Sequence, residues 1–406
     1  MQVRYMSRPE AKRRIAYANP PLRRIERARK TARVAVEETA VVTGEATSRL
    51  AHVDMLRVAL TVGVICTHAV ISYGGPGSWF YHAGDLPAGV RTAVSIPIAF
   101  GALFGMGAFF FVAGAFLPRS LERKGTRRFL AERWVRLGWP PLVFVLLVVP
   151  LVDLTVRAVA GPSEPAARIL ARQLRDLDAG PLWFVWVLLV LSAVAALALA
   201  RLPRATPRDL RPQLLVRCAA FVVVVSFTLR IFFRIDSYQV GAAHVWQWGQ
   251  CIGLFTLGVA AGRQGWLTRI PRGIRFACRW LMAAGLLAVV AVLVAAGDDL
   301  DPFGGGLHWQ SLVIAVLEGG VSVSTTIVLV DLFRGAGGGR FAALLGRGAY
   351  GAYLLQTPIL VGLALALREV AAPSGVKLLV VLPTAVALSF GAALLLRRVP
   401  GLRRAL

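Results

Sequence analysis

Arg57 and His68 are the first residues in this sequence whose types and spacing could do chemistry. They lie in the segment DMLRVALTVGVICTHAV, residues 54–70, which is apolar enough to enter a bilayer. Eleven residues advance an α-helix by about 16 Å and about 20° beyond three full turns, so the two side chains share a face. An imidazole can take a hydroxyl proton or carry a transferred group, and a guanidinium can hold phosphate. The alternative for His68 is a hydrogen-bonded core histidine, but its alignment with Arg57 favours a functional role.

Two further arginines stand in the loop sequence LPRSLERKGTRRFLAERWVRLGWPPL. Arg133 and Arg136 are three residues apart, so they share a helix face at the point where the chain enters the membrane. Two guanidinium groups in that position could bind a phosphate-bearing ligand bidentately. The alternative is that they belong only to the basic loop that membrane topology requires.

Other polar residues lie inside apolar runs, where ionisable side chains are costly and usually face the protein interior. Glu318 lies on one helical stripe with Ser311, Ser322 and Thr325. Arg230 lies one turn deeper than Arg234 and needs a carboxylate partner, for which Glu318 is our candidate. The stripe could bind substrate or another helix. Aromatic and histidine residues near the other ends of the spans could shape an acceptor pocket or form an interfacial belt; they are Trp79, Tyr81, Trp183, Tyr238, His244 and Trp246.

The elements that must position these residues are membrane helices. The chain has 406 residues and is 57% hydrophobic, above the share in soluble domains. A buried soluble helix explains one apolar run, but not ten in series. We therefore predict an all-α, polytopic membrane helical bundle of about ten transmembrane helices. The candidate spans are 55–73, 96–117, 139–160, 182–200, 214–233, 246–262, 280–296, 310–332, 349–366 and 378–396.

The net charge of +25 follows from membrane topology. Arginines and lysines concentrate in alternate connections, which the positive-inside rule assigns to the cytoplasm together with both termini. This distribution argues against nucleic-acid binding. Residues 1–50 form a basic cytoplasmic tail, predicted to be disordered or to contain a short basic helix in 20–40, and residues 51–406 form the membrane domain. The four cysteines lack a metal-type spacing, so no metal site is expected.

Several motifs resemble the integral-membrane acyltransferase-3 family. They are Asp54-Met55-Leu56-Arg57 with ten residues before His68, FFFVAGAFLPRSLERKGTRRFLAERWVRL (109–137), GPLWFVWVLL, QCIGLFTLGVAAGRQGWL, and GAYGAYLLQTPIL (348–360). They occur in the family's order across residues 54–366. The resemblance implies that Arg57 and His68 match the family's first-helix motif and that Arg133 and Arg136 match its inner-loop motif. Family members often have histidine where this chain has Gln356, which cannot take a proton at neutral pH. This departure argues against proton transfer at that position and leaves a positioning role open.

The resemblance also implies an O-acyltransferase, transferring groups other than amino-acyl groups. The donor would be a cytoplasmic acyl-CoA, such as acetyl-CoA, used as a co-substrate with no bound cofactor. The acceptor would be a hydroxyl of a sugar, glycan or antibiotic-like molecule. His68 would act as general base or acyl carrier, Arg57, Arg133 and Arg136 would bind the donor, and Glu318, Arg230, Gln356 and Trp183 are further candidates for substrate contact.

Two other functions fit a bundle with polar stripes. A secondary transporter or flippase is the main alternative, although such proteins often show internal repeats and broken helices in matching halves. A non-catalytic scaffold is disfavoured by the ionisable groups inside the spans. Arginine outnumbers lysine 42 to 4, which is typical of a GC-rich bacterial genome. We therefore expect a multi-pass protein of the bacterial inner membrane.

Overall fold

A computed structural model describes residues 53–161, 165–203, 206–235, 237, 243–297, 299–334 and 339–405. Within these ranges the chain is helical and contains no strand. We number the longer helices α1 Val53–Ser72, α2 Ala88–Ala102, α3 Gly105–Lys124, α4 Thr126–Ala160, α5 Ala166–Asp176, α6 Trp183–Arg201, α7 Pro212–Phe232, α8 Trp248–Gln264, α9 Arg272–Ala296, α10 Trp309–Phe333, α11 Arg340–Ala366 and α12 Ser374–Leu396.

The described part of the chain is a polytopic membrane bundle, as predicted. Nine of its helical stretches are long and apolar enough to cross a bilayer. The predicted span 246–262 corresponds to α8, which has 17 residues and so lies at the short end of the range for a membrane-spanning helix. The tail 1–50 and its proposed helix in 20–40 lie outside the described residues.

Both ends of the described bundle lie on one side of it. A side chain added at Gly346, near the start of α11, would meet Asp54 at the start of α1. A side chain added at Gly348 would meet Leu394 near the end of α12. The beginning of α1 and the end of α12 therefore lie beside the same end of α11. This is the basic side of the molecule, which the positive-inside rule assigns to the cytoplasm, and we call it the inner side.

The predicted span 96–117 is in fact two helices, because the chain breaks between α2 and α3. A break inside a membrane leaves backbone groups without partners, and these must be satisfied by other protein groups. Gln250 of α8 does this here: its Oε1 accepts from the amide of Gly107 at 2.9 Å and its Nε2 donates to the carbonyl of Ala102 at 3.0 Å. One buried amide side chain therefore supplies hydrogen bonds to the backbone on both sides of the break.

Helix α4 begins earlier than the predicted span 139–160 and contains two π-helical turns. These turns cover Trp134–Gly138 and Phe144–Val148. Each lies just before a proline, Pro140 in the first case and Pro150 in the second. A proline ring clashes with the carbonyl four residues earlier, and a widened turn removes that clash. The helix therefore continues through both prolines.

Helices α3 and α8 pack with their backbones almost touching. A Cβ atom added to Gly258 would lie 2.1 Å from the carbonyl oxygen of Phe111, and one added to Gly262 would lie 2.2 Å from that of Ala115. Gly258 and Gly262 are four residues apart and form the small-residue face that close helix pairs in membranes require. This pair fixes α8, which carries Gln250, against α3.

Candidate active site

A cavity of about 2240 Å³ occupies the outer half of the bundle and extends inward along α1. Its lining begins at Leu56 and Leu60 in the inner half and reaches Asp301 at the outer surface. The outer part combines aromatic rings with charged groups. His68 and Trp183 line it, together with Trp79, His244 and Trp246. The histidine singled out from the sequence thus faces an open space large enough for a small organic molecule.

His68 lies near the outer end of α1, and its imidazole is oriented by two neighbours. Its Nδ1 lies 3.1 Å from Oε1 of Gln356 on α11. A carboxamide oxygen can only accept, so Nδ1 carries the proton and donates it, which leaves Nε2 of the neutral ring unprotonated. The indole of Trp79 stacks on the imidazole, with ring centroids 4.3 Å apart. His68 therefore presents a basic nitrogen while its ring plane is held in place.

The aromatic side chains of the outer cavity form a connected wall. Trp183, at the start of α6, stacks on His244 with ring centroids 5.0 Å apart. His244 in turn lies 5.7 Å from Trp246, and the guanidinium of Arg230 lies 5.9 Å from the Trp246 ring. We call Trp183, His244 and Trp246 the aromatic wall. Flat rings of this kind suit a ligand with apolar faces and polar edges, such as a sugar.

The arginines proposed to bind the donor meet at the inner side, around the first turns of α11. Arg57 donates from Nη2 to Oδ1 of Asp54 at 2.6 Å and to the carbonyl oxygen of Gly346 at 3.2 Å. The Arg136 guanidinium lies 5.4 Å from the ring of Tyr350, whose hydroxyl donates to the Arg136 carbonyl at 2.7 Å. Gly346 and Tyr350 are one turn apart on α11, so the structure brings Arg57 and Arg136 together.

Arg133 lies one turn before Arg136 on α4, as the spacing predicted. Its guanidinium lies 5.1 Å from the ring of Phe129, and the side chain is half-buried. Arg57, Arg133 and Arg136 together form what we call the inner arginine cluster. Asp54 is the one carboxylate bonded to it, so three guanidinium groups share a single paired anion among the described residues.

The inner arginine cluster does not line the cavity. Arg57 and His68 both contact α11, at Gly346 and Gln356 respectively, which agrees with their predicted common face. The cavity runs along the adjacent face of α1, from Leu56 to His68. Below it, apolar side chains from four segments pack around a void of about 10 Å³ and form what we call the apolar plug, comprising Val53, Leu56, Phe111, Leu267, Val330 and Phe333.

Glu318 and Arg230 form a buried ion pair, which confirms the pairing suggested from their depth in the spans. Arg230 Nη2 lies 2.5 Å from Glu318 Oε2, and their side chains are 2% and 0% exposed. The other carboxylate oxygen accepts from Gln250 Nε2 at 2.8 Å. Gln250 also bonds the α2–α3 break, so the network ties α7, α8 and α10 to that break. Arg230 is among the residues that line the cavity, whereas Glu318 lies behind it and does not line the cavity.

Two residues of this site, Gln250 and Trp79, were not assigned these roles from the sequence. The position of Gln250 in the sequence indicated a structural role, because a polar residue inside an apolar span must find a partner in the protein. Trp79 was expected in the pocket or in an interfacial belt, but its stacking on His68 depends on how the loop after α1 folds back. Among the described residues, no group of three histidine, cysteine, aspartate or glutamate side chains could hold a metal ion.

Comparison with known proteins identifies the family of this chain. No curated protein and no solved structure matches the chain. The sequence model of the acyltransferase-3 family, described as an acyltransferase domain, matches residues 50–398. This range covers every helix named above, the His68 site and the inner arginine cluster. The chain is a multi-pass membrane protein that belongs to the acyltransferase-3 family.

Proposed function

We propose that this protein transfers an acyl group from a cytoplasmic acyl-CoA to a hydroxyl of a sugar, glycan or antibiotic-like acceptor at the bacterial inner membrane. The observation that carries this proposal is the hydrogen bond from His68 Nδ1 to Gln356 Oε1. It leaves Nε2 as the basic atom of an imidazole that lines a large cavity. A group oriented in this way suits proton transfer from a hydroxyl or attack on a thioester.

Two chemical routes use the same nitrogen. In direct transfer, His68 Nε2 takes the proton of the acceptor hydroxyl while the hydroxyl oxygen attacks the thioester carbonyl carbon. The carbon–sulfur bond then breaks, and the thiolate takes the proton from the imidazolium. In the covalent route, Nε2 attacks the thioester carbonyl carbon, the carbon–sulfur bond breaks and the thiolate leaves. The acceptor hydroxyl then attacks the acyl-imidazolium, the carbon–nitrogen bond breaks to restore neutral His68, and the hydroxyl proton passes to the thiolate. In both routes Gln356 keeps the proton on Nδ1 and so keeps Nε2 available.

The inner arginine cluster supports a phosphate-bearing donor. Three guanidinium groups with one paired carboxylate favour a multiply charged anion, and acyl-CoA carries several phosphate charges. Acetyl-CoA is the donor we expect. Arg57 and His68 are separated by about 16 Å along α1, and the cluster does not line the His68 cavity. A bound donor must therefore displace packed side chains between the two as its pantetheine arm carries the thioester outward to the imidazole.

The outer position of His68 and the aromatic wall support an acceptor that enters from the outer side. Trp183, His244 and Trp246 supply ring faces, while Gln247 and Asp178, which also line the cavity, supply hydrogen-bonding groups. Ring faces combined with planar polar groups suit a hydroxylated ring. The donor and the acceptor would then approach His68 from opposite sides of the membrane.

Purified protein in liposomes tests the proposal directly. It would be incubated with radiolabelled acetyl-CoA and a panel of glycan and antibiotic acceptors, and labelled products would be counted. We expect wild type to label an acceptor and His68→Ala to lose at least about 100-fold in rate, because a positioned base contributes about 10²–10⁴-fold. His82→Ala is the matched control, since His82 is exposed and paired with Asp85 in an outer loop.

The same experiment separates the alternatives. Equal labelling by wild type and His68→Ala would remove His68 from the mechanism. Movement of unmodified acceptor across the liposome, without any labelled product from any donor, would instead favour the transporter. Label that remains on the protein when acceptor is omitted, and that His68→Ala abolishes, would identify the covalent route.

A further inference from the structure

A second group of arginines surrounds Asp331 at the inner side, away from the His68 site. Asp331 lies near the end of α10, and its carboxylate is 3.1 Å from Arg275 and 3.0 Å from Arg279, both on α9. Arg334 lies 3.6 Å from the same carboxylate and also donates to the carbonyl of Thr268 at 2.6 Å. These residues line a hollow of about 620 Å³ that also includes Arg269. We call this the Asp331 hollow.

The Asp331 hollow carries more positive charge than its own carboxylate can balance. Four guanidinium groups and one carboxylate line it, which gives a formal net charge of +3. The Asp331 side chain is 6% exposed and is already shared among three arginines. The Nε of Arg275 is buried and has no partner among the described residues. Guanidinium groups converging in this way match the geometry of a phosphate group, which accepts several charge-assisted hydrogen bonds.

The depth of the hollow matches that of lipid headgroups. Helix α9 has 25 residues and is therefore about 37 Å long, against about 30 Å for the hydrocarbon core. Its ends extend a few ångströms into the headgroup region on each side. Arg275 lies about 5 Å from the start of α9, at this boundary, and Arg279 lies one turn deeper, where a long side chain reaches back toward the surface.

The neighbouring face of α9 is suited to acyl chains. Phe276 and Trp280 each follow one of the two arginines by one residue, so they form a parallel stripe on the helix. They are 66% and 64% exposed, and their rings meet edge to face with centroids 6.1 Å apart. Leu332, which lines the hollow, is 65% exposed. Exposed aromatic and leucine side chains beside a cationic hollow fit a lipid better than a soluble phosphate compound.

From this arrangement we propose that the Asp331 hollow binds the headgroup phosphate of an anionic phospholipid of the cytoplasmic leaflet, with the acyl chains lying along Phe276 and Trp280. The proposal does not depend on the reaction proposed above, because none of these residues lines the His68 cavity. The proposed ligand is a lipid component of the membrane. Arg275 and Arg279 would hold the phosphate, and Asp331 would keep their guanidinium groups in place between lipids.

Native mass spectrometry of the full-length protein in detergent would test the proposal. The probes are dioleoyl-phosphatidylglycerol, dioleoyl-phosphatidylcholine, inorganic phosphate and coenzyme A. We expect phosphatidylglycerol to bind in preference to phosphatidylcholine, and Arg275→Gln/Arg279→Gln to weaken it about 30-fold, since each basic residue near a membrane surface strengthens binding about 5-fold. Arg272→Gln/Arg340→Gln is the matched control, because it removes the same charge from two exposed helix-start positions outside the hollow.

A second variant protects the test against simple loss of structure. Asp331→Asn removes the carboxylate that competes for the arginines, so it should tighten phosphatidylglycerol binding, whereas a purely structural cluster would be weakened and show no gain for lipid. Equal phosphatidylglycerol affinity in the arginine variant and its control would overturn the proposal. Binding of inorganic phosphate or coenzyme A at the hollow, without lipid preference, would overturn it as well.

Discussion

The buried pair of Arg230 and Glu318 allows a prediction whose size follows from the structure. Their side chains are 2% and 0% exposed, and the contact is 2.5 Å. Glu318→Leu would leave the Arg230 guanidinium buried beneath Trp246 without a carboxylate. Arg230→Met would leave the carboxylate without its counter-charge, although it would still accept a hydrogen bond from Gln250. Each single substitution should therefore cost about 3–5 kcal/mol of unfolding free energy, the usual result of breaking a buried pair.

The double variant Arg230→Met/Glu318→Leu should be far more stable than either single one. It buries no unpaired charge, and a buried ion pair replaced by apolar groups of similar volume is often tolerated without loss. Gln250 keeps its bonds to Gly107 and Ala102 and loses one partner, which costs about 1 kcal/mol. The two singles and the double then give a coupling energy of at least about 5 kcal/mol.

Equilibrium unfolding in detergent, followed by tryptophan fluorescence, would measure all four proteins. A double variant that costs the sum of the two single variants would refute the reasoning, because the two charges would then not depend on each other.

The folded double variant also allows an activity measurement. Loss of the guanidinium beneath Trp246 should lower kcat/KM for the acceptor about 5-fold, the effect of removing a cation–π contact of about 1 kcal/mol. The KM for acyl-CoA should not change.

Three further substitutions test other parts of the molecule. Gln356→Met removes the acceptor for His68 Nδ1, so kcat should fall about 2- to 12-fold while the KM values for donor and acceptor stay the same. If Gln356 acts only through His68, adding Gln356→Met to His68→Ala should cause no further fall in kcat, and a further fall would contradict that role. Arg133→Ala should raise the KM for acyl-CoA about 10-fold or more with little change in kcat, whereas Arg127→Ala, in the exposed part of the same helix, should change neither. Gly258→Ala puts a methyl group 2.1 Å from a backbone oxygen and should destabilise the protein by about 1–3 kcal/mol in the same unfolding assay, whereas Gly320→Ala, which meets nothing within 4 Å, should be neutral or stabilising.

The sequence indicated where the candidate residues lie on their helices better than it indicated their partners. Helical periodicity placed Arg57 and His68 on one face, and both side chains do contact the same helix, α11. Periodicity is a local property, so it could not show that the partner of His68 is Gln356, 288 positions away. The depth of Arg230 in its span demanded a carboxylate, and Glu318 was the candidate at a suitable depth. That pairing could be predicted because a buried charge has few possible partners.

The irregular parts of the helices were the least predictable. Hydropathy treats residues 96–117 as one span, because it averages over Gly101 and Gly105, which flank the break between α2 and α3. It also cannot show that Gln250 occupies the gap, since that contact depends on the close packing of α3 and α8. The prolines of α4 indicated irregular backbone, but the π-helical turns that accommodate them depend on backbone geometry that composition does not encode.

The apolar plug beneath the cavity has a consequence for the cell as well as for the reaction. A water-filled passage through a bilayer conducts protons and ions, whereas a narrow apolar constriction sheds its water and blocks them. Val53, Leu56, Phe111 and Val330 are packed apolar side chains at the inner end of the cavity. The protein can therefore keep a large chamber toward the outer side while apolar packing at its inner end offers protons and ions no polar path across the membrane.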